Sequence, residues 1–211
     1  MQKIITYYFR YSTATANLRR DANAGHFREA RMSEAMMTGM MPEAVPAPAV
    51  LAVAREDFVA AMRNVATGVT VVTTDGPAGR YGVTVSAMTS VSADPPAVLV
   101  CVNEASPAAA AIAANKVFCV NLLADDQAAL SDAFAGRARK ADRFEGLATL
   151  RIGTDAPALA EALSAFDCRL VETHRFGTHA VFIGLVVGVR RGEGAPLVYH
   201  NRAYCRPAAV A

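Results

Sequence analysis

The sequence predicts a mainly β domain, a barrel or sandwich core with helices at its periphery. Three observations lead there. Short β-branched runs recur along the chain, Gly and Pro punctuate them, and few stretches carry helical periodicity. Composition agrees: 53% hydrophobic and 19% charged residues in a chain of 211 supply the apolar material for one well-buried domain. We place that domain at residues 51–211 and read residues 1–50 as a flexible N-terminal extension or a mis-assigned leader.

Residues 1–11 are aromatic and basic, and residues 12–31 are polar with scattered arginines. Met36, Met37, Met40 and Met41 then precede an extended Pro-Glu-Ala-Val-Pro-Ala-Pro linker. Methionines from Met32 onward are alternative starts, and acidic residues interrupt what would otherwise suit a targeting peptide.

Residues 55–65 predict a helix with Phe58, Met62 and Val65 on one stripe. Residues 69–74 and 81–85 are β-branched runs whose Asp-Gly-Pro-Ala-Gly-Arg connection has hairpin chemistry. Two further β-rich runs flank the corner Pro95-Pro96, the second ending at Asn103. Ser106-Pro107 supplies an N-cap and a first helical residue for an alanine-rich helix to Ala114. A buried strand over 117–123, a helix over 125–134 and a long antiparallel pair over 166–173 and 180–190 follow. Residues 197–204 finish the domain.

The net charge of +2 argues against a nucleic-acid or membrane-surface partner. No apolar run reaches membrane-spanning length, and the N-terminus lacks a secretory signal pattern. Cys101, Cys119, Cys168 and Cys205 have neither zinc nor dithiol spacing and suit a reducing cytoplasm, and no convergent His set marks a metal site. Neither a G-x-G-x-x-G after a strand nor a P-loop occurs, so any nucleotide cofactor must be held by another architecture.

One stretch concentrates chemistry. Thr84, Ser86, Thr89, Ser90 and Ser92 place five hydroxyls in nine residues. On extended chain, such hydroxyls and backbone amides can line a groove for a polar ribityl-phosphate tail, while Val, Ala and Met beside them offer apolar contact to a flat ring. A strand with one solvated face has the same composition. Alternation groups Thr84 with Ser86 and turns Val83, Val85 and Ala87 the other way. The helix start at Ser106 is either an ordinary cap or an anion site. Arg137, Arg139, Lys140 and Arg143, ahead of Phe144, form either a solvated basic loop or a partner for a diphosphate.

The run from Gly82 to Pro96 with its apolar strand ending in Asn103, then Phe118-Cys119-Val120-Asn121-Leu122-Leu123, then Gly177-Thr178-His179-Ala180-Val181-Phe182-Ile183-Gly184, resembles the short-chain flavin reductases, the reductase components of two-component flavin monooxygenases. Residues 73–80 and 164–169 make it most similar to the pyrimidine-utilisation FMN reductases. The resemblance spans roughly residues 55–207 in the expected order.

It implies a split β-barrel of the FMN-binding, Greek-key type, usually a homodimer with flavin near the subunit interface. It implies hydride transfer from NADH to FMN, with FAD and NADPH as the alternatives, and release of reduced flavin to a separate monooxygenase, with a pyrimidine-ring-opening oxygenase as the candidate. By the same resemblance His179 positions NADH as the catalytic residue. Gly82, Thr84, Ser86, Ala87, Ser90 and Ser92 contact flavin, Asn103 and Ser106 lie toward its phosphate, Asn121 lies beside its ring, and Phe144 lies near the cofactors. A flavin-binding electron-transfer protein without NADH turnover is the competing expectation.

Overall fold

The computed structural model describes residues 52–136 and 143–210. The extension over 1–50, and Arg137, Arg139 and Lys140 of the basic loop, lie outside the described residues.

In chain order the elements are α1 (Arg55–Met62), β1 (Thr67–Gly68), β2 (Thr70–Thr74), β3 (Tyr81–Val85), β4 (Met88–Ala93), β5 (Pro96–Asn103), α2 (Pro107–Asn115), β6 (Val117–Leu122), α3 (Ala128–Phe134), β7 (Thr149–Leu150), β8 (Ala158–Leu159), β9 (Ser164–Phe176), β10 (His179–Arg191), β11 (Val198–His200) and β12 (Ala203–Cys205). The mainly β expectation holds. Seven antiparallel strands form one sheet in the order β3-β2-β6-β9-β10-β5-β4, and β1-β11-β12 form a smaller one. The edge strands β3 and β4 are consecutive in sequence, joined through Ser86-Ala87, so the chain spans the gap that ladder hydrogen bonds do not close.

Strand alternation divides the core in two. On the inner face, Val72, Val98, Val100, Val102, Phe118 and Phe182 pack together, with Ala109 and Ile112 of α2 as a plug. On the outer face, Val69, Val71, Leu123, Phe134, Phe144 and Leu197 form a second cluster. Strand β2 is therefore buried along its whole length. Its hydroxyls are satisfied internally: Thr70 Oγ1 donates to Val85 O at 3.0 Å and Thr74 Oγ1 to Val117 O at 2.7 Å.

Three expectations are corrected. The first helix ends at Met62, so Val65 falls outside it; Phe58, Met62 and Val65 are all exposed, and no residue of α1 is buried. The third helix begins at Ala128 because Gln127 closes a turn on Ala124, with main-chain and side-chain bonds of 3.0 and 2.9 Å. The final run is a hairpin, turned at Asn201 and Arg202 with φ of 47° and 66°, as a type I′ turn requires.

Buried Asp167 accepts the amides of Gly153 and Thr154 at 2.7 and 2.6 Å and the Thr154 hydroxyl at 2.6 Å, pinning the loop before β8. Burial, reinforced by the Asp167 charge, pushes the Cys168 thiol up to about 12 and holds Cys119 higher still. In the unfolded chain both thiols ionise near 9. Above that pH the unfolded state binds fewer protons than the fold, so stability falls as pH rises from 9 toward 12. We expect a thiol reagent to label exposed Cys205 in the native protein and to reach Cys119 and Cys168 only after denaturant is added, as mapped by mass spectrometry.

Candidate functional site

The outer face of β3 carries two recesses. Gly82 lies at the base of the first, under an edge-to-face pair of rings, Phe134 and Phe144, with centroids 5.2 Å apart. A Cβ at position 82 would sit 2.4 Å from Phe134 Cε1 and 3.3 Å from Phe144 Cζ, so the glycine is required by ring packing. Arg143 donates to Gly82 O at 3.3 Å and Phe134 O at 3.1 Å, fastening its loop to β3.

This recess measures about 230 Å³ and is lined by Arg80, Gly82, Ser106, Arg143 and Phe144, among others. Its polar groups suit an anion. Ser106 is the N-cap of the nine-residue α2 but makes no side-chain cap bond, leaving its hydroxyl for a ligand; Pro107 has no N–H, and Ala109 N already donates to Ser106 O at 2.9 Å. The Arg80 guanidinium lies 5.5 Å from the Phe144 centroid and pairs with Asp75, Nε to Oδ2, at 3.2 Å. The turn chemistry over 75–80 hid Arg80 among loop residues, because side-chain reach is not legible there.

The second recess, about 180 Å³, is lined by Thr84, Ser86, Ser131, Tyr199 and Tyr204. Thr84 Oγ1 donates to Ser131 O at 2.6 Å. The Tyr204 hydroxyl meets Ser131 Oγ at 2.9 Å and Asp132 Oδ1 at 2.8 Å. Ser131 and both tyrosines were missed by sequence reasoning; the alternation of β11 and β12 bears on Tyr199 and Tyr204, while Ser131 on α3 carries no such signal. Val83 and Val85 pack against the inner core, as alternation predicts for the strand that carries Thr84.

The other candidates separate. Exposed Ala87 follows β3, and its carbonyl accepts Cys101 N at 3.0 Å. Ser90 pairs with Val98 and Ser92 with Ala97, because a bulge at Val91 interrupts the register. Consecutive β5 residues face opposite ways, so the two serines do not share one surface. Ser92 Oγ also accepts Asp94 N at 3.1 Å. Asn103 and His179 are exposed cross-strand partners at the end of β5 and line neither recess. Asn103 Oδ1 accepts Ala105 N at 2.9 Å, and Thr178 Oγ1 meets His179 Nδ1 at 2.9 Å, fixing both side chains.

Asn121 is not in either recess. It is fully buried, and its amide donates to Val71 O at 3.0 Å and Thr73 Oγ1 at 3.1 Å while its oxygen accepts Leu159 N at 2.7 Å. Those bonds tie β2, β6 and β8 together. Among the described residues no cluster of His, Cys, Asp or Glu can hold a metal ion, and no helix is long and apolar enough to cross a membrane.

Residues 62–208 match the family model described as Flavin reductase like domain. The chain is 47% identical over 154 residues to an FMN reductase (NADH) RutF of Ancylobacter novellus, covering 72% of this chain and 85% of that one. BorF, the flavin reductase component of a bacterial two-component tryptophan halogenase, superposes with a TM-score of 0.65 at 32% identity, covering 72% of this chain and 96% of that one. The Streptomyces globisporus C-1027 NADH:FAD oxidoreductase SgcE6, in complex with NAD and FAD fragments, gives 0.66 at 28% identity, covering 73% and 93%.

Replacing Asn121 with Ala leaves the Leu159 amide unsatisfied in the core. We expect a loss of about 1–3 kcal/mol, read from urea denaturation.

Proposed function

The chain belongs to the flavin reductase like domain family, and from that premise we propose that it is an NADH-dependent FMN reductase. The observation that carries the reading is its 47% identity, across most of the relative's length, to a protein named for that activity. FMN supplies the hydride acceptor when bound, and the protein's task is to bind, orient and shield.

The first recess fits the cofactor's phosphate. Ser106, the N-terminal end of the α2 dipole and the guanidinium groups of Arg80 and Arg143 supply hydroxyl, dipole and charge in one place. Thr84 and Ser86 continue the same strand face toward the ring. FAD shares these parts with FMN and is the alternative flavin; SgcE6 acts on FAD by its name. His179 serves NADH: its Nδ1 contact with Thr178 sets the imidazole rotamer, leaving Nε2 for the ligand.

The native unit in this reading is a homodimer. The exposed apolar face of α1 and the partly exposed row of Leu99, Cys101, Val181 and Ile183, which pack against no core cluster, are covered by a second copy. Asn103 and His179 continue that β5 and β10 row, which puts the nicotinamide site at the subunit junction. Reduced flavin then passes to a separate monooxygenase, by analogy with BorF, which is the reductase component of a two-component halogenase. The reductase domain occupies residues 51–211, with 1–50 as an extension outside it.

The deciding experiment mixes protein, FMN and NADH without oxygen and follows both absorbances. Catalytic loss of both signals supports the reductase; bound flavin with NADH untouched sinks it in favour of an electron-transfer protein. His179→Ala should lower kcat/KM for NADH about tenfold, equal to ~1.4 kcal/mol, with the FMN dissociation constant unchanged. Arg80→Ala should weaken FMN about tenfold and leave riboflavin binding as it was, since only FMN carries the phosphate. Fluorescence titration with the two flavins reads the difference.

A further inference from the structure

The turn between β9 and β10 carries a side chain that neither the core nor the proposed chemistry uses. Phe176 is 87% exposed at the end of β9. Its exposure is not looseness of the chain. The two-residue turn has Gly177 at φ 58° in its first central position, the arrangement of a type II′ hairpin. Glu104 N donates to Thr178 O at 3.0 Å, and the Arg175 guanidinium pairs with Glu104 at 3.0 Å, so the turn is tied to the end of β5.

The register places the ring. Phe176 pairs directly with His179, and His179 pairs directly with Asn103. Directly opposed residues share a face of the sheet, with Cβ atoms about 4.5–5.5 Å apart. The next pair along, Ala180 with Val102, is buried in the inner core, so the row of Phe176, His179 and Asn103 points outward. A flat apolar ring, an imidazole held by Thr178 and an amide-bearing side chain thus stand side by side on three strands. An aromatic heterocycle with a carboxamide matches that row: the ring for Phe176, the amide for the polar neighbours.

We propose that Phe176 is a substrate-positioning residue that stacks on the nicotinamide ring beside His179. The inference rests on the reductase reading and deepens it by naming a second side chain of the nicotinamide site. Stacking needs the flat face and not apolarity alone. The aromatic face also attracts a cationic pyridinium, so oxidised NAD+ is held as well as NADH.

The test uses the full-length protein with FMN added. Phe176→Ala should raise KM for NADH about tenfold, change kcat little and weaken NAD+ in calorimetry by a similar factor. Phe176→Tyr should restore both, and Phe176→Leu should not. Unchanged KM and unchanged NAD+ affinity in the Ala variant overturn the proposal. So does a changed sedimentation coefficient, which would make Phe176 a contact between copies, and so does full rescue by Leu. Wild-type protein that fails to oxidise NADH overturns the reductase reading instead, and the Phe176 assignment then stands or falls on NAD+ binding alone.

Discussion

The seven-stranded sheet is ended by chain continuity. Strands β3 and β4 follow one another in sequence and yet lie at opposite edges, so the strand-to-strand path through Ser86-Ala87 closes what hydrogen bonding leaves open. An ordinary barrel satisfies every strand by pairing; here two edges retain backbone donors and acceptors beside a hydroxyl-rich strand. A ligand with a polar tail can use such groups where a second strand would otherwise be needed. The two recesses along the outer face of β3 depend on that arrangement.

Keeping the split rigid falls to the strands behind it. β2 and β6 are covered on both faces, and polar side chains there can survive only if fully bonded. Thr70, Thr74 and Asn121 meet that condition with partners from β2, β3, β6 and β8, and buried Asp167 on neighbouring β9 does so with the loop at 153–154. Gly82 and Gly184 allow aromatic rings to press against the sheet, Phe134 on the first and Phe118 on the second, where a Cβ would come within 2.4 Å of the ring. The first recess thus leans on packed strands, and Phe144, which lines it, is held edge-to-face against buried Phe134.

What was legible in the sequence was local. The β-branched runs, the Ser106-Pro107 helix start and the alternation of residues 83–86 depend on neighbours a few residues away, and they appear where periodicity puts them. What was not legible was which surface covers which. Phe58 and Met62 share a face of α1 while Val65 lies beyond its end, and periodicity cannot say whether the core covers such a face. Asn121 sits inside a run that reads like a cofactor strand, and only the tertiary bonds to Val71, Thr73 and Leu159 show how it is buried. Ser90 and Ser92 look like one face at spacing two until the bulge at Val91 turns them apart.

What the sequence conceals has one cause, and it bears on how such a site works. Hydride transfer between two flat rings demands position more than acid or base strength, so its residues need no perturbed titration and carry no spacing code of the kind a metal site leaves. Arg80, Ser106 and Phe144 come from a turn, a cap and a loop, and they meet only because β3, α2 and the outer cluster are packed together. His179 and Phe176 meet only through the register of a hairpin. A site distributed in this way is specified by the sheet itself, and the residues that build the sheet are as much a part of the chemistry as those that touch the ligands.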